Sequence, residues 1–230
     1  SREELKELVE KTAGSLAAVL FVITLLGGLA APILIFIFAP GFDAEGTRHE
    51  LAVSMLRLTF PYLFFISLTA MAGGVLNTFG KFVVPAITPV FLNLSLLAAM
   101  IWLTPLLSEP ITALAWGVLL AGFVQLAFQF PYLSKLGLMP RLRFDRDHEG
   151  VKKIMKLMLP ALFGVSITQI NLLVDTLLAS FLVTGSVSWL YFSDRLVEFP
   201  LGIFGIALAT VILPTLSKSY AAGKDNEFSA

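Results

Sequence analysis

The chain has 230 residues, of which 57% are hydrophobic and 14% charged, and its 16 Lys and Arg balance its 16 Asp and Glu. Soluble domains have about 45–50% apolar and about 25% charged residues, so this chain has too few charges to cover itself in water. This composition excludes an ordinary soluble enzyme, a disordered chain and, with no cysteine, a disulfide-bonded secreted domain, and the balanced charge argues against a nucleic-acid partner.

Six apolar stretches are each long enough to cross a membrane as a helix. About 20 apolar residues span the hydrocarbon core, and none of the six alternates apolar and polar residues as a barrel strand does. We predict an all-α polytopic membrane protein with helices near residues 13–38, 51–79, 83–107, 111–134, 154–183 and 187–217. Pro85 and Pro89, four residues apart, predict an irregular third helix.

The residues before the first span, 1–11, are predicted to form an amphipathic helix with Leu5, Leu8 and Val9 on one face. The apolar run that follows is longer than the 7–15 residues of a signal-peptide core, so we expect a membrane helix and no cleaved signal. Because the chain begins with Ser1 and a charged helix, we expect it to be part of a longer protein.

The loops differ strongly in basic charge from one side of the membrane to the other. When the spans alternate, 13 Lys and Arg fall on the side of the N-terminus, and Arg48 alone falls on the opposite side. Loops rich in Lys and Arg stay in the cytoplasm. We therefore predict that both termini of the chain are cytoplasmic.

Arg57 and Arg195 are the two basic residues that remain inside apolar spans. A charge at mid-bilayer costs about 2.5–3.5 kcal/mol on insertion scales, so such residues face a cavity or a partner. Asp194 and Glu198 are four residues apart and Arg195 and Glu198 three, so these side chains can meet on one helix surface. Two interpretations stay open: a self-neutralised ion cluster that packs the helix, or a wet cavity in which Arg195 binds an anionic substrate.

Asp175 and Arg57 are further candidates. Thr168, Asn171 and Asp175 lie on one helical face, where their oxygens suit a hard cation such as Na⁺, or Asp175 carries a proton. The alternative is a structural carboxylate that accepts hydrogen bonds from a neighbouring helix. Arg57, about two turns into its span, is expected to snorkel to the interface or to line a cavity.

Catalysis is not supported by the sequence. Asp145-Arg146-Asp147 has the acid-x-acid form of some metal-dependent glycosyltransferases, but it lies in a short basic loop, where a solvated loop is the better interpretation. His49 and His148 fall on opposite sides of the membrane, so they cannot share a metal. We predict a protein that is not an enzyme.

Several strings resemble the lipid II flippase family, MurJ or MviN. They are DTLLAS at 175–180, YFSDRLVEFPLGIFG at 191–205, ILPTLSK at 212–218, FPYLFF at 60–65, GVLNTFGKF at 74–82 and PVFLN at 89–93. The resemblance implies part of a two-lobed, MATE-like fold and places this chain at the third to eighth of fourteen helices. Residues 1–134 would be the latter part of the N-lobe, 135–153 a cytoplasmic inter-lobe loop, and 154–230 the first two C-lobe helices with a cytoplasmic tail.

The resemblance also implies a function. The family moves lipid II, the undecaprenyl-diphosphate-linked peptidoglycan precursor, from the cytoplasmic to the periplasmic leaflet of the bacterial inner membrane by alternating access. Arg195 would be the arginine of the central cavity, with Asp194 and Glu198 beside it, and Asp175 the carboxylate associated with a Na⁺ site, to which Asn171 is a candidate contributor. The implied partners are lipid II, membrane lipids and the remaining helices of the full-length protein.

Two other functions are compatible with the sequence. A drug or polysaccharide exporter of the same superfamily would need a differently charged cavity. A membrane-embedded enzyme that acts on polyprenyl-diphosphate substrates would need acidic residues or histidines in a sizeable interfacial loop, and the loops of this chain are short.

Overall fold

The computed structural model of this chain describes residues 2–42, 47–139, 145 and 148–202. Every regular element in these ranges is a helix, as the sequence predicts. The elements are α1 (Arg2–Leu29), α2 (Ala31–Phe38), α3 (Thr47–Thr78), α4 (Val83–Ile87), α5 (Val90–Trp102), a 3₁₀ turn (Thr104–Leu106), α6 (Thr112–Lys135), α7 (Glu149–Ser180) and α8 (Ser186–Pro200).

Five helical segments are long and apolar enough to cross a membrane: Glu3–Leu29, Thr47–Thr78, Val83–Leu106, Thr112–Lys135 and Glu149–Ser180. They correspond to the first five predicted spans and confirm a multi-pass membrane protein. The sixth prediction, 187–217, begins as α8, and its part beyond residue 202 lies outside the described residues. The division into lobes at 134 and 154 stays a prediction.

The first predicted span, 13–38, differs from the structure at its start and by a break inside it, and its end agrees with the end of α2 at Phe38. The amphipathic segment and the apolar run form one helix, α1, because no Pro or turn residue interrupts the chain between them. The break falls later, at Ala30, inside the predicted span. Pro32 has no N–H to donate to the carbonyl of Gly28 four residues earlier, so the helical hydrogen-bond pattern is lost at that point.

The third span is interrupted at Thr88 and Pro89, which confirms the predicted irregular helix. Two glutamines of α6 reach into this break: Gln125 donates to the Thr88 carbonyl at 3.2 Å, and Gln129 donates to the Thr88 hydroxyl at 3.1 Å. Gln125 is 2% exposed and Gln129 1% exposed. The α6 helix therefore adds two side-chain hydrogen bonds at this break, where the Thr88 carbonyl also accepts the N–H of Phe91 at 3.2 Å, a role that sequence patterns did not reveal.

Replacement of Gln125 by Leu is expected to lower the free energy of unfolding by about 0.5–1.5 kcal/mol, because the Thr88 carbonyl loses its side-chain donor and keeps the N–H of Phe91. Gln129→Leu is the matched control. It removes a bond to a hydroxyl that keeps its own acceptor, the Val84 carbonyl, and it should cost less. Thermal unfolding of the purified full-length protein measures both, and equal losses would contradict this role of Gln125.

The helices α1, α3, α5 and α6 pack as a bundle. One buried cluster joins α3, α4 and α6 through Ala72, Leu76, Val84 and Leu133. A second joins α1 to α3 through Ala17, Leu20 and Leu68. Small residues allow the close approach, as at Gly122, where a Cβ would press against Tyr62 and Phe65 of α3.

The helix α7 contacts this bundle at its two ends. Its first buried residue is Val151 and its last are Ala179 and Ser180, whereas no residue of its most apolar 18-residue stretch is buried. The middle of α7 and most of α8 therefore stand away from the bundle. The candidate residues Asn171, Asp175, Asp194, Arg195 and Glu198 lie on these two helices.

Candidate functional site

Arg195 lies on α8, whose position is set by a tight connection to α7. Gly185 precedes the helix with φ +103°, in the left-handed region that favours glycine, and this conformation lets the chain reverse direction. Arg195 follows nine residues after Ser186, which places it about 14 Å along the helix at 1.5 Å per residue. At Leu201 and Gly202, directly after Pro200, the backbone takes π-helical geometry.

The guanidinium of Arg195 makes two contacts along its own helix. Its Nη1 donates to Glu198 Oε2 at 2.9 Å, and its Cζ lies 5.2 Å from the centre of the Tyr191 ring. The side chains of Arg195 and Glu198 are 61% and 63% exposed. The predicted Arg195–Glu198 pair is thus present. The guanidinium is oriented by one carboxylate and one ring, and among the described residues no other group is recorded as a partner of its remaining N–H groups.

Asp194 does not join this pair. It is half-buried, and within the described residues no hydrogen bond or ion pair is recorded for its carboxylate. Neighbouring helix positions project about 100° apart, so Asp194 and Arg195 leave α8 in different directions. The structure thus records the Arg195–Glu198 contact and none of Asp194 with either residue among the described residues, and the contact of Asp194 with substrate stays a prediction.

Asp175 and Asn171 are exposed on the free middle part of α7, one helical turn apart. In the part of the chain that the structure describes, no group of three or more His, Asp or Glu residues could hold a metal. Hard cations are held by about six oxygen ligands, so Asp175 and Asn171 supply only part of a shell. The side chain of Thr168 lies outside the described residues.

Arg57 faces the groove between α1 and α3. It is exposed, and its Nε donates to the carbonyl of Gly28 at 3.4 Å. This is the carbonyl that Pro32 leaves without a helical partner, so Arg57 binds at the break between α1 and α2. The side chain is therefore held between two helices and does not simply extend along the helix surface.

The contacts that attach α7 to the bundle were not predicted from the sequence. At one end, Lys11 pairs with Glu7 at 2.7 Å and with Asp145 at 2.9 Å. The Oδ1 of Asp145 also accepts the backbone N–H of His148 at 3.2 Å, just before α7 begins. Asp145 of the acid-x-acid string is thus a connecting residue, whereas Arg146 and Asp147 lie outside the described residues.

At the other end, the loop after α2 and the start of α3 bind the turn between α7 and α8. The N–H of Gly41 donates to Ser180 Oγ at 3.1 Å, and Arg48 Nη2 donates to Thr184 Oγ1 at 2.7 Å. Arg48 is the one basic residue predicted on its side of the membrane, and this isolation could have indicated that it makes a specific contact. Its partner, 136 residues away, was not readable from sequence.

Comparison with known proteins supports the resemblance. A family model described as "Lipid II flippase MurJ" matches residues 1–230. A probable lipid II flippase MurJ of Vibrio cholerae is 46% identical over 97% of this chain, and one of Haemophilus influenzae 46% over 94%. The lipid II flippase MurJ of Burkholderia cenocepacia is 41% identical over 98%.

The chain spans about 44% of the length of these three curated relatives. The match nevertheless covers the strings around Arg195 and Asp175 and extends over every helix described above. The family is one of flippases and not of enzymes, which confirms the corresponding prediction. The chain belongs to the lipid II flippase MurJ family.

Proposed function

We propose that the full-length protein flips lipid II across the bacterial inner membrane by alternating access, with both ends of this chain on the cytoplasmic side. The names of the relatives support this substrate. The observation that carries the proposal is the exposed guanidinium of Arg195 on α8, the described start of the predicted sixth span, where a cation without function would be costly.

Arg195 suits the diphosphate of this substrate because a guanidinium presents parallel N–H donors that match phosphate oxygens. Glu198 and Tyr191 hold the group in place before the anion arrives. Glu198 also neutralises part of the charge, which lowers the cost of keeping Arg195 within the membrane while the cavity is empty. The diphosphate would then bind at Arg195 as the polyprenyl chain stays in lipid.

The attachment of α7 at its ends supports alternating access. A helix bound firmly along its whole length could not move without breaking a packed interface, whereas α7 is held by a few polar contacts at each end. Opening one end while the other stays closed would expose the region between α7 and α1 to one side of the membrane. This chain thus supplies contacts suited to gating at both ends.

We also propose that Asp175 contributes one ligand to a Na⁺ site that helices outside the described residues complete. In that case Asp175→Asn should raise the Na⁺ concentration that gives half-maximal lipid II export, by about tenfold, because a neutral amide binds the cation more weakly. Transport by the full-length protein in vesicles, at varied Na⁺, measures this. Glu109→Gln, in an exposed loop, is the control, and an unchanged Na⁺ response would leave Asp175 as a structural carboxylate.

A further inference from the structure

Arg57 lies between two open cavities of about 360 Å³ each and lines both of them. We name the two cavities together the Arg57 groove. The first is bounded by α1 residues that include Phe21, Leu25 and Leu29, and it contains no acidic residue. The second contains Glu50, seven residues before Arg57 on α3. The first cavity is therefore the part of the groove that suits an anion with an apolar chain.

Proline residues leave backbone carbonyls without a helical donor beside Arg57, and these carbonyls make the groove polar there. Pro32 leaves the Gly28 carbonyl for Arg57 Nε, and Pro61 cannot donate a helical hydrogen bond to the carbonyl of Arg57 itself. The hydroxyl oxygen of Thr24, which lines the same cavity, has no hydrogen-bond partner in the described part of the chain. One N–H of Arg57 is thus used to anchor the side chain, and within the described ranges no partner is recorded for the two terminal nitrogens, which can bind a ligand.

Arg57 and Arg195 lie at similar depths along their helices. The contact between Arg48 and Thr184 brings the starts of α3 and α8 to the same end of the molecule. Arg57 follows nine residues after Arg48, and Arg195 nine residues after Ser186, so each lies about 14 Å along its helix from that end. Arg57 and Arg195, the two basic residues inside predicted spans, therefore lie at about the same distance from that end of the molecule.

We propose that Arg57 is a second binding residue for the diphosphate of the polyprenyl-linked substrate, at the level of Arg195. The first cavity of the Arg57 groove holds the start of the polyprenyl chain against Phe21, Leu25 and Leu29, and the terminal nitrogens of Arg57 bind a phosphate oxygen pair. The proposal rests on the proposed function, and it assigns Arg57 a direct contact with substrate.

The test measures binding of undecaprenyl diphosphate to the purified full-length protein in nanodiscs. Arg57→Gln keeps a donor for the Gly28 carbonyl but removes the charge, and it is expected to weaken binding at least tenfold. Arg57→Lys restores the charge without the paired donors and should recover part of the affinity. Lys81→Gln, which removes an exposed charge in the loop after α3, should leave the affinity unchanged.

Phosphatidylglycerol and inorganic diphosphate are measured with the same variants to identify the source of the phosphate. Unchanged undecaprenyl diphosphate binding by Arg57→Gln overturns the proposal. A loss confined to phosphatidylglycerol also overturns it, since the groove would then be a membrane-lipid site. Inorganic diphosphate that binds as tightly as the lipid-linked form excludes any contribution of the apolar cavity. If Arg57→Gln gives one of these contrary outcomes but Arg195→Ala still abolishes binding of undecaprenyl diphosphate, the proposed function is retained and only the role of Arg57 is rejected.

Discussion

Arg195→Ala is expected to abolish lipid II export by the full-length protein while the protein still inserts into the membrane. The substitution removes the charged donors for the diphosphate and leaves Glu198 as an unpaired carboxylate, so the anion meets repulsion where it met attraction. The readout is survival of bacteria in which this variant is the only copy, together with its amount in membranes by immunoblot.

Lys135→Ala is the matched control for this experiment. Lys135 also lies over an aromatic ring of its own helix, with Nζ 5.9 Å from the centre of the Tyr132 ring, but it is at the end of α6 and outside the candidate site. It should support normal growth. Arg195→Lys keeps the charge and removes the paired donors. Partial activity of this variant indicates that the charge matters most, whereas a complete loss of activity indicates that the paired donors matter most. Normal cell-wall synthesis with Arg195→Ala would refute the assignment.

A covalent link between positions 48 and 184 is expected to stop transport almost completely. Arg48 reaches Thr184 through its long side chain, so a short bifunctional methanethiosulfonate reagent is the appropriate link between Arg48→Cys and Thr184→Cys. If alternating access requires this end of α7 to separate from α3, the linked protein cannot complete a cycle. This chain contributes no other cysteine.

The same design applies at the opposite end, with Lys11→Cys and Asp145→Cys. Each single-cysteine variant treated with the reagent is the control, and reduction should restore transport in the double variants. Full transport by a protein linked at positions 48 and 184, with the link verified by mass spectrometry, would show that this contact does not open. Inhibition at one end only would identify the end that moves.

The amino-acid sequence predicted part of the candidate site. The spacing of Arg195 and Glu198 predicted their contact, because residues three apart on a helix lie side by side. The same rule allows Asp194 to meet Glu198, four residues away, but spacing along a helix allows a contact and does not require one. For Arg57 the sequence left two interpretations open, snorkelling to the interface or lining a cavity, and it could not show the bond to the Gly28 carbonyl on another helix.

The amino-acid sequence by itself determined the membrane class and the first five spans, because bilayer thickness sets the length of every crossing helix, and its strings indicated the family. Only the tertiary structure decided how these helices meet. Their surfaces are apolar on all sides, as lipid requires, so hydrophobic periodicity cannot show which face packs against which helix. The contacts that define the site are polar pairs far apart in the chain, such as Arg57 with Gly28 and Arg48 with Thr184, and folding alone brings them together.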